Sequence, residues 1–478
     1  MTTEPSQGIG RELGLLEGAG LIALAASLPE LEYVFRHALI QDAAYESILR
    51  QDRRSLHVQV AETLLALYPD HRDDLAPTLA HHFERGEDRP RAIEYLARAA
   101  RHARSRFARH EAVDFARRAV AMLPSGDAIS VEERRTRAQM LLLQAEAGGD
   151  FVPLNDTVAL LEAVIADGEA LEDAALSARA YLEIGLARAL SGEQFRSSAP
   201  LATALQRATD LAEASRSPDL MAMAISAMGQ AHYAAGEFAE AIESWERAVP
   251  ALIEAGQLYG ASMTAGQLGT AYGHVGQYEK AVSWTDRAYE LGEKSGDPNA
   301  SLDADLARSI VEGVTGDSAV AIEYATKAAD AAAKVDNKAC AMVAHSVIGE
   351  QYLREGEAAQ AAIAFEASAD LATFCQFLPV KIEQTELLLQ TARARSGVGR
   401  VEFERYERAL ELARQFGDRL AEAQLYEQRA RDRIDAGQGA ATGEDLSRAA
   451  SLYETLGAGA HQQRVRELQL RLQQAAGG

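Results

Sequence analysis

The sequence predicts an all-α chain built as a stack of similar helix pairs, and three observations predict it. Alanine, leucine, glutamate and arginine dominate a chain of 478 residues with only 12 prolines, which is helix-forming material. The β-branched runs that a central sheet needs are absent after the first forty residues. Above all, small residues recur in register. Gly236, Gly276, Gly316 and Gly356 stand forty apart, as do Ala241, Ala281, Ala321 and Ala361. A third column holds Ala248, Ala288, Ala328 and Ser368; the phase then slips by one residue to Gly397 and Ala409 and resumes at Gly437 and Ala449. Weaker copies lie near Gly86 and Gly192.

The columns predict what each copy is. In MGQAHYAAGEFAEAIESWERA, Met228 to Ala235 reads as the end of one helix and Glu237 to Val249 as the next. Gly236 sits where a residue without Cβ turns the chain left-handed. Ala241 and Ala248 lie two turns apart on one face, where small side chains let paired helices approach. Trp245 adds bulk on that side, and Gly229 thins the first helix where its partner crosses. The next copy repeats the plan with Gly269, Tyr272, Gly276, Tyr278, Ala281 and Ala288; another has Gly349, Tyr352, Gly356, Ala361 and Phe365. Around Gly316 the plan changes, with Ser309 at the first-helix glycine and Ala325 at the aromatic, so this link is expected to be the loosest.

At these residues the sequence resembles the tetratricopeptide family, whose pattern runs Gly, Tyr, Ala, an aromatic and Ala in this order. The family's minimal unit is about 34 residues; a period of forty implies longer pairs, as in the extended subtype found behind bacterial signalling ATPases. The resemblance is good over 217–456 and fair over 73–216. It implies a right-handed α-solenoid whose curvature makes a concave groove for a protein or peptide partner. The turns Ser295-Gly296-Asp297-Pro298 and Phe416-Gly417-Asp418 separate successive pairs. A polar last helix, about His461 to Gln474, is expected to cap the stack.

Residues 1–70 follow another rule. Glu32 to Arg36 alternates like a short strand with Tyr33 and Phe35 on one side, and HALIQDAAYESILRQDRRSLHVQVAETLLALYP reads as two helices. Leu56, Val60, Leu64 and Leu67 form an apolar stripe. The phrase YVFRHALIQDAAYESIL, with RSLHVQVAETL and LAHHFERGEDRPRAIEYLARAARHA, is similar to the segment joining an ATPase module to its repeats in large bacterial signalling proteins. Those include proteins fused to adenylate/guanylate cyclase domains and the large ATP-binding LuxR-type regulators. The resemblance covers about 13–123 and implies that Phe35, His37, Ala38, Ile40 and Tyr45 pack a winged-helix-like unit. No G-x-x-x-x-G-K-[ST] occurs, no segment has room for a cyclase domain, and the chain ends in RVRELQLRLQQAAGG without a helix-turn-helix. The chain therefore resembles the C-terminal half of such a regulator. Its expected divisions are a truncated winged-helix-like segment at 1–70, divergent repeats at 71–216, and regular repeats with a capping helix at 217–478.

Net charge is −23, unevenly distributed. Residues 1–123 hold 16 Arg and no Lys against 18 acidic residues; the remainder holds 32 basic against 53 acidic. So acidic a body argues against nucleic acid and favours a basic partner. Two cysteines, Cys340 and Cys375, make no disulfide framework and fit a reducing cytoplasm. The apolar stretch Gly20–Leu28 follows Glu12 and Glu17 and is too short to span a bilayer, so it reads as a buried helix or strand.

Candidate sites each have a plainer explanation. His81, His82 and Glu84, with His102 and His110, suggest metal, but adjacent histidines on a helix diverge by about 100° and helix packing is expected instead. Arg98, Arg101, Arg104, Arg106, Arg109, Arg117 and Arg118 form a basic patch expected to pair with Glu94, Glu111 and Asp114. Trp245, Trp284, Tyr272, Tyr278 and Tyr352 could line a groove, but their columns place them in the core. Cys340 and Cys375 lack a neighbouring base and read as packing residues. The three asparagines, Asn155, Asn299 and Asn337, do not recur at the repeat period, against a carboxylate clamp of the chaperone-binding kind. The expected function is that of a cytoplasmic interaction scaffold or sensor module in bacterial signalling or transcriptional regulation. No catalytic, cofactor or metal site is expected, nor nucleic-acid or membrane binding. The alternative is part of a nucleotide-dependent signalling enzyme whose catalytic domain lies outside this chain.

Overall fold

The computed structural model describes residues 6–26, 32–106, 108–124, 129–148, 152–190, 199–372, 374–375 and 379–477. Gly192, and with it the start of the weak copy there, lies outside the described residues, as do Ser27 and Leu28. The chain divides into two compact units, Met1–Leu123 and Pro124–Gly478.

The first unit begins with α1 (Ser6–Gly18), the strands β1 (Ile22–Ala26) and β2 (Glu32–Phe35), then α2 (Ala38–Ser47) and α3 (Arg50–Leu67). The two strands pair antiparallel, Ile22 opposite Phe35 and Leu24 opposite Tyr33, so the apolar stretch after Gly20 is one arm of a hairpin. This front end packs little. Among its described residues Ile22 alone is buried before Ala61. Ile40 and Tyr45 are half-buried, whereas Phe35, His37 and Ala38, expected as packing residues, are exposed. The expected stripe on α3 is also turned outward: Leu56, Val60 and Leu67 are exposed and Leu64 is half-buried. The reason is where the next helix docks. α4 (Ala76–Arg85) meets α3 along His57, Val58 and Ala61, and a Cβ on Gly86 would lie 2.6 Å from the Val58 side chain. α5 (Arg89–Ser105) and α6 (Arg109–Met122) complete the unit, with Phe83 stacked on Tyr95 at 5.3 Å over buried Leu79 and Leu96. At this copy the left-handed residue is Glu87, not Gly86.

The second unit is helical throughout its described residues. It runs α7 (Val131–Gly148), α8 (Leu154–Ala170), α9 (Ala174–Leu190), α10 (Ala199–Ser215), α11 (Pro218–Ala234), α12 (Phe238–Glu254), α13 (Leu258–Val275) and α14 (Tyr278–Ser295). It continues through α15 (Pro298–Thr315), α16 (Ser318–Lys334), α17 (Lys338–Glu355), α18 (Ala358–Ala372) and α19 (Pro379–Arg395). The last are α20 (Phe403–Phe416), α21 (Arg419–Asp435), α22 (Gly439–Thr455) and α23 (Gly459–Gly477). Consecutive helices pack as antiparallel hairpins, and each first helix also packs on the first helix of the next pair, as α13 does on α15. The molecule thus has the α-solenoid architecture that the repeat predicts.

Three hairpins close where a glycine meets a larger residue. A Cβ on Gly229 would run into the Trp245 indole, whose N–H donates to the Ser226 carbonyl at 3.0 Å. A Cβ on Gly349 would lie 2.7 Å from the Phe365 ring, and one on Gly269 2.9 Å from Thr285. In the link around Gly316, Ser309 and Ala325 are both fully buried. The column glycines end the first helices as expected. Gly276 has φ of 87°, and the amide after it, on Gln277, donates back to the Tyr272 carbonyl at 2.9 Å. Asp297 and Asp418 begin the next pairs by accepting from the amides of Asn299 and Ala421.

The stack then curls onto itself. α23 is not only an end cap: it packs against α13 and α15, and the His274 and His461 rings stack with centroids 5.1 Å apart. Backbone meets backbone here, since a Cβ on Gly459 would lie 2.8 Å from the Val275 carbonyl. A hydrogen-bond chain assigns both tautomers. Arg464 donates to His461 Nδ1, so His461 Nε2–H donates to His274 Nδ1 at 2.9 Å, and His274 Nε2–H donates to the Tyr233 hydroxyl at 3.1 Å. Both rings are therefore neutral. Burial, with Arg464 adding, pushes His274 down to about 4, and burial holds His461 well below the usual range.

Two outcomes follow from this packing. Gly349→Ala should lose about 1–3 kcal/mol in urea denaturation, because the new methyl overpacks the Phe365 crossing. Gly443→Ala in α22, with open space around it, should be neutral or gain up to about 1 kcal/mol from helix propensity. The buried histidines bind fewer protons folded than unfolded, so their stabilising effect is complete above about pH 6.5 and is lost as pH falls towards 4. Each pH unit in that window costs about 1.4 kcal/mol for His274 alone. Melting temperature should fall from pH 6.5 to 4.5, and an H274F/H461F variant should show a flatter slope.

Candidate groove site

Curling brings the inner faces of successive first helices around one cavity of about 300 Å³. Four sequence columns line it, spaced as one face of a helix. Two residues before the column glycine stand His274, Val314, Arg354 and Arg395; six before it stand Ile310, Glu350 and Arg431. Further along the same face are Val347, Leu388 and Gln428, then Val343, Gln384 and Gln424. α23 contributes His461 and Arg464, and Tyr406 alone comes from the second helix of a pair. Adjacent first helices are tied to each other on this side by hydrogen bonds about one repeat apart. Gln384 Nε2 donates to Gln424 Oε1 at 3.2 Å, and the Thr391 hydroxyl donates to Asp432 at 2.8 Å, where Tyr406 also donates at 2.6 Å.

The charge of this cavity is opposite in sign to that of the body. Arg354, Lys381, Arg395, Arg431 and Arg464 line it against Glu350 and Glu427. Glu427 lies between Arg431 at 2.8 Å and Arg464 at 3.4 Å and accepts from the Tyr453 hydroxyl; Arg464 and Arg431 hold it down to about 2 against the effect of burial. Lys381 pairs with Glu350 at 3.2 Å, and Arg395 with Asp435 at 2.7 Å. The acidic surplus read from composition is carried elsewhere, so the expectation of a basic partner does not extend to the cavity. None of these groove residues was singled out from the sequence. The signal was present in the column two before the glycine, but the small residues that hold the hairpins together give the stronger periodicity.

The candidates weighed from the sequence fall elsewhere. Trp245 and Tyr272 are core; Trp284 and Tyr352 are half-buried; Tyr278 is exposed, with its hydroxyl donating to Glu312. Asn337 caps α17 through the Cys340 amide, and Asn299 sits in the turn at the start of α15. Cys340 is half-buried and Cys375 buried, and they form no disulfide. In the first unit, His81 and His82 are joined by His57, a residue outside the sequence pattern. His57 and His82 hydrogen-bond through their Nδ1 atoms at 2.9 Å, and Tyr45 meets His57 Nε2 at 3.0 Å. Burial lowers the pKa of both His57 and His82. Among the described residues no group of three or more His, Cys, Asp or Glu is placed to hold a metal ion. His102 lies 3.6 Å from Asp74. Three of the seven arginines of the patch are seen in ion pairs: Arg98 reaches Asp73 at 3.0 Å and Glu94 at 3.4 Å, Arg117 reaches Asp114 at 2.7 Å, and Arg118 pairs with Glu84 and Asp114. No described helix is long and apolar enough to cross a membrane.

Comparison with known proteins agrees with this architecture. Residues 219–294 match the tetratricopeptide repeat family model. No curated protein matches the sequence significantly. Among solved structures, a Rap protein complexed with competence and sporulation factor superposes with TM-score 0.57 at 12% identity, over 76% of this chain and 98% of that one. NprR in complex with its cognate peptide NprX gives 0.46 at 12% identity, over 70% of this chain and 99% of that one. A signal-transduction ATPase with numerous domains and a tetratricopeptide repeat sensor, from Pyrococcus horikoshii, gives 0.45 at 14% identity, over 86% and 58% respectively. With the family pattern matched at 219–294 and the same hairpin plan continued on both sides of it, the second unit is a stack of tetratricopeptide-type helical repeats.

Proposed function

We propose that the second unit captures a short peptide, or a flexible segment of a partner protein, in the cavity formed by its first helices. The carrying observation is the cavity itself: four repeat columns converge on one space, and they differ in chemistry from the small-residue columns that hold the fold together. At about 300 Å³ it lies at the lower end of ligand-pocket sizes, which suits a few residues of chain and not a folded domain. Valine and leucine side chains supply apolar contact, while Gln384, Gln424 and Gln428 offer amides that match peptide backbone groups. The Rap protein that shares the fold was solved with a bound factor, which agrees with a ligand-binding role for such a solenoid.

The same geometry gives binding a means of transmission. Each hairpin contacts only its neighbours until α23 closes the turn on α13, so a ligand that spreads or tightens the inner helices would change that closure. A role in a bacterial signalling or regulatory pathway, in the cytoplasm, belongs to this proposal.

Selection of binders from a random peptide display library against the whole chain tests it. Val343→Trp, which fills the cavity from a half-buried position, should abolish capture with unchanged circular dichroism. Ile363→Glu, on an exposed position of α18 outside the cavity, should leave it intact. The reverse pattern would remove the groove as the binding surface.

A further inference from the structure

We infer that the occupant of the cavity is an acidic peptide segment, held by a side-chain carboxylate against Arg354. The inference rests on the groove reading above and adds the chemistry of the ligand. Of the five cations lining the cavity, Arg395, Lys381, Arg431 and Arg464 each have a carboxylate within ion-pair distance. Arg354 has none: its guanidinium reaches solvent inside the cavity, and no hydrogen bond or ion pair of the protein engages it among the described residues. It is also crowded. Burial and then the positive charge of Arg464 pull its pKa down, with Arg431 adding to the effect. Beside it, the buried Arg464 Nε–H has no acceptor.

Its side chain is exposed, so a ligand entering the cavity reaches it without breaking a contact within the protein. An arginine fork fits a carboxylate with two parallel hydrogen bonds, and Arg354 has that fork unengaged by the protein. The residues between the cations choose the class of anion. Val343, Val347 and Leu388 alternate with Gln384 and Gln424, a mixture that suits a polypeptide bearing one or two acidic side chains more than a polyphosphate. The net negative charge of the rest of the unit disfavours non-specific contact with the same peptide.

A random-sequence peptide array decides the matter, with every peptide acetylated at its N-terminus and amidated at its C-terminus so that only Asp and Glu carry carboxylates. Probed with the full chain, the bound set should be enriched in Asp and Glu, and affinity should fall with added salt. Arg354→Gln should weaken these peptides about tenfold or more, and Arg354→Lys less than that. Bound peptides without acidic enrichment, or affinities unchanged by Arg354→Gln, overturn the inference. So does binding seen only when the C-terminus is free, or ATP competing for the cavity in a calorimetric titration. If capture survives Arg354→Gln but is lost in Val343→Trp, the groove reading stands and the carboxylate alone is refuted. If neither variant matters, the groove reading falls as well.

Discussion

In three hairpins of this protein the helices approach closely where one of them lacks a side chain that the other supplies. Trp245 occupies the volume Gly229 leaves open, Phe365 that of Gly349, and Thr285 that of Gly269. Where the large partner shrinks to Ala325, the glycine becomes Ser309, and the pair is still fully buried. The summed volumes differ between copies, Gly229 with Trp245 being far bulkier than Ser309 with Ala325, but each pair is buried, because interiors at crystal-like density tolerate neither a void nor an extra methyl. Since each crossing repeats at the same point of the hairpin, each hairpin is offset from the last by a similar rotation. Curvature, and with it the cavity, is the accumulated result.

That curvature gives the two helices of a pair different duties. Second helices carry the alanine columns and the large residues that fill the crossings. First helices meet one another on the inside, where space is short and the polar groups must find partners within the turn. Hence the hydrogen bonds about one repeat apart, such as Gln384 to Gln424 and Thr391 to Asp432. Hence also the neutral histidine pair at the closure: a charge on either ring would be stranded in a dry contact beside Arg464, so the chain of donors runs one way from Arg464 to Tyr233. Arg354 is the exception to this internal accounting.

The first unit shows the contrast. On its basic helix face Arg98, Arg117 and Arg118 pair with the local carboxylates Asp73, Glu84, Glu94 and Asp114, and surface pairs of this kind contribute little energy individually. Its front end leaves Leu39, Leu49 and Leu67 in water. A charge cluster prominent in the sequence is thus quiet in the structure, while cations scattered over four helices of the second unit converge.

By itself the sequence determined the hairpin plan. Glycine and alanine columns report local conformation and the crossing of adjacent helices, both of which are short-range in the chain and survive as strict periodicity. The strand at Glu32 and the ends of the helices at Gly236, Gly276 and Gly296 were legible for the same reason. Only tertiary structure decided that α23 returns to α13, joining His274 to His461 across 187 residues, because small rotations sum over five hairpins and no single column encodes the total. It likewise decided which face of α3 meets α4 and so left Leu56 and Val60 exposed. The cavity stands between these cases. Its column two residues before each glycine is written in the sequence as His274, Val314, Arg354 and Arg395, but a column whose residue types differ from copy to copy looks like no column until curvature brings its members together.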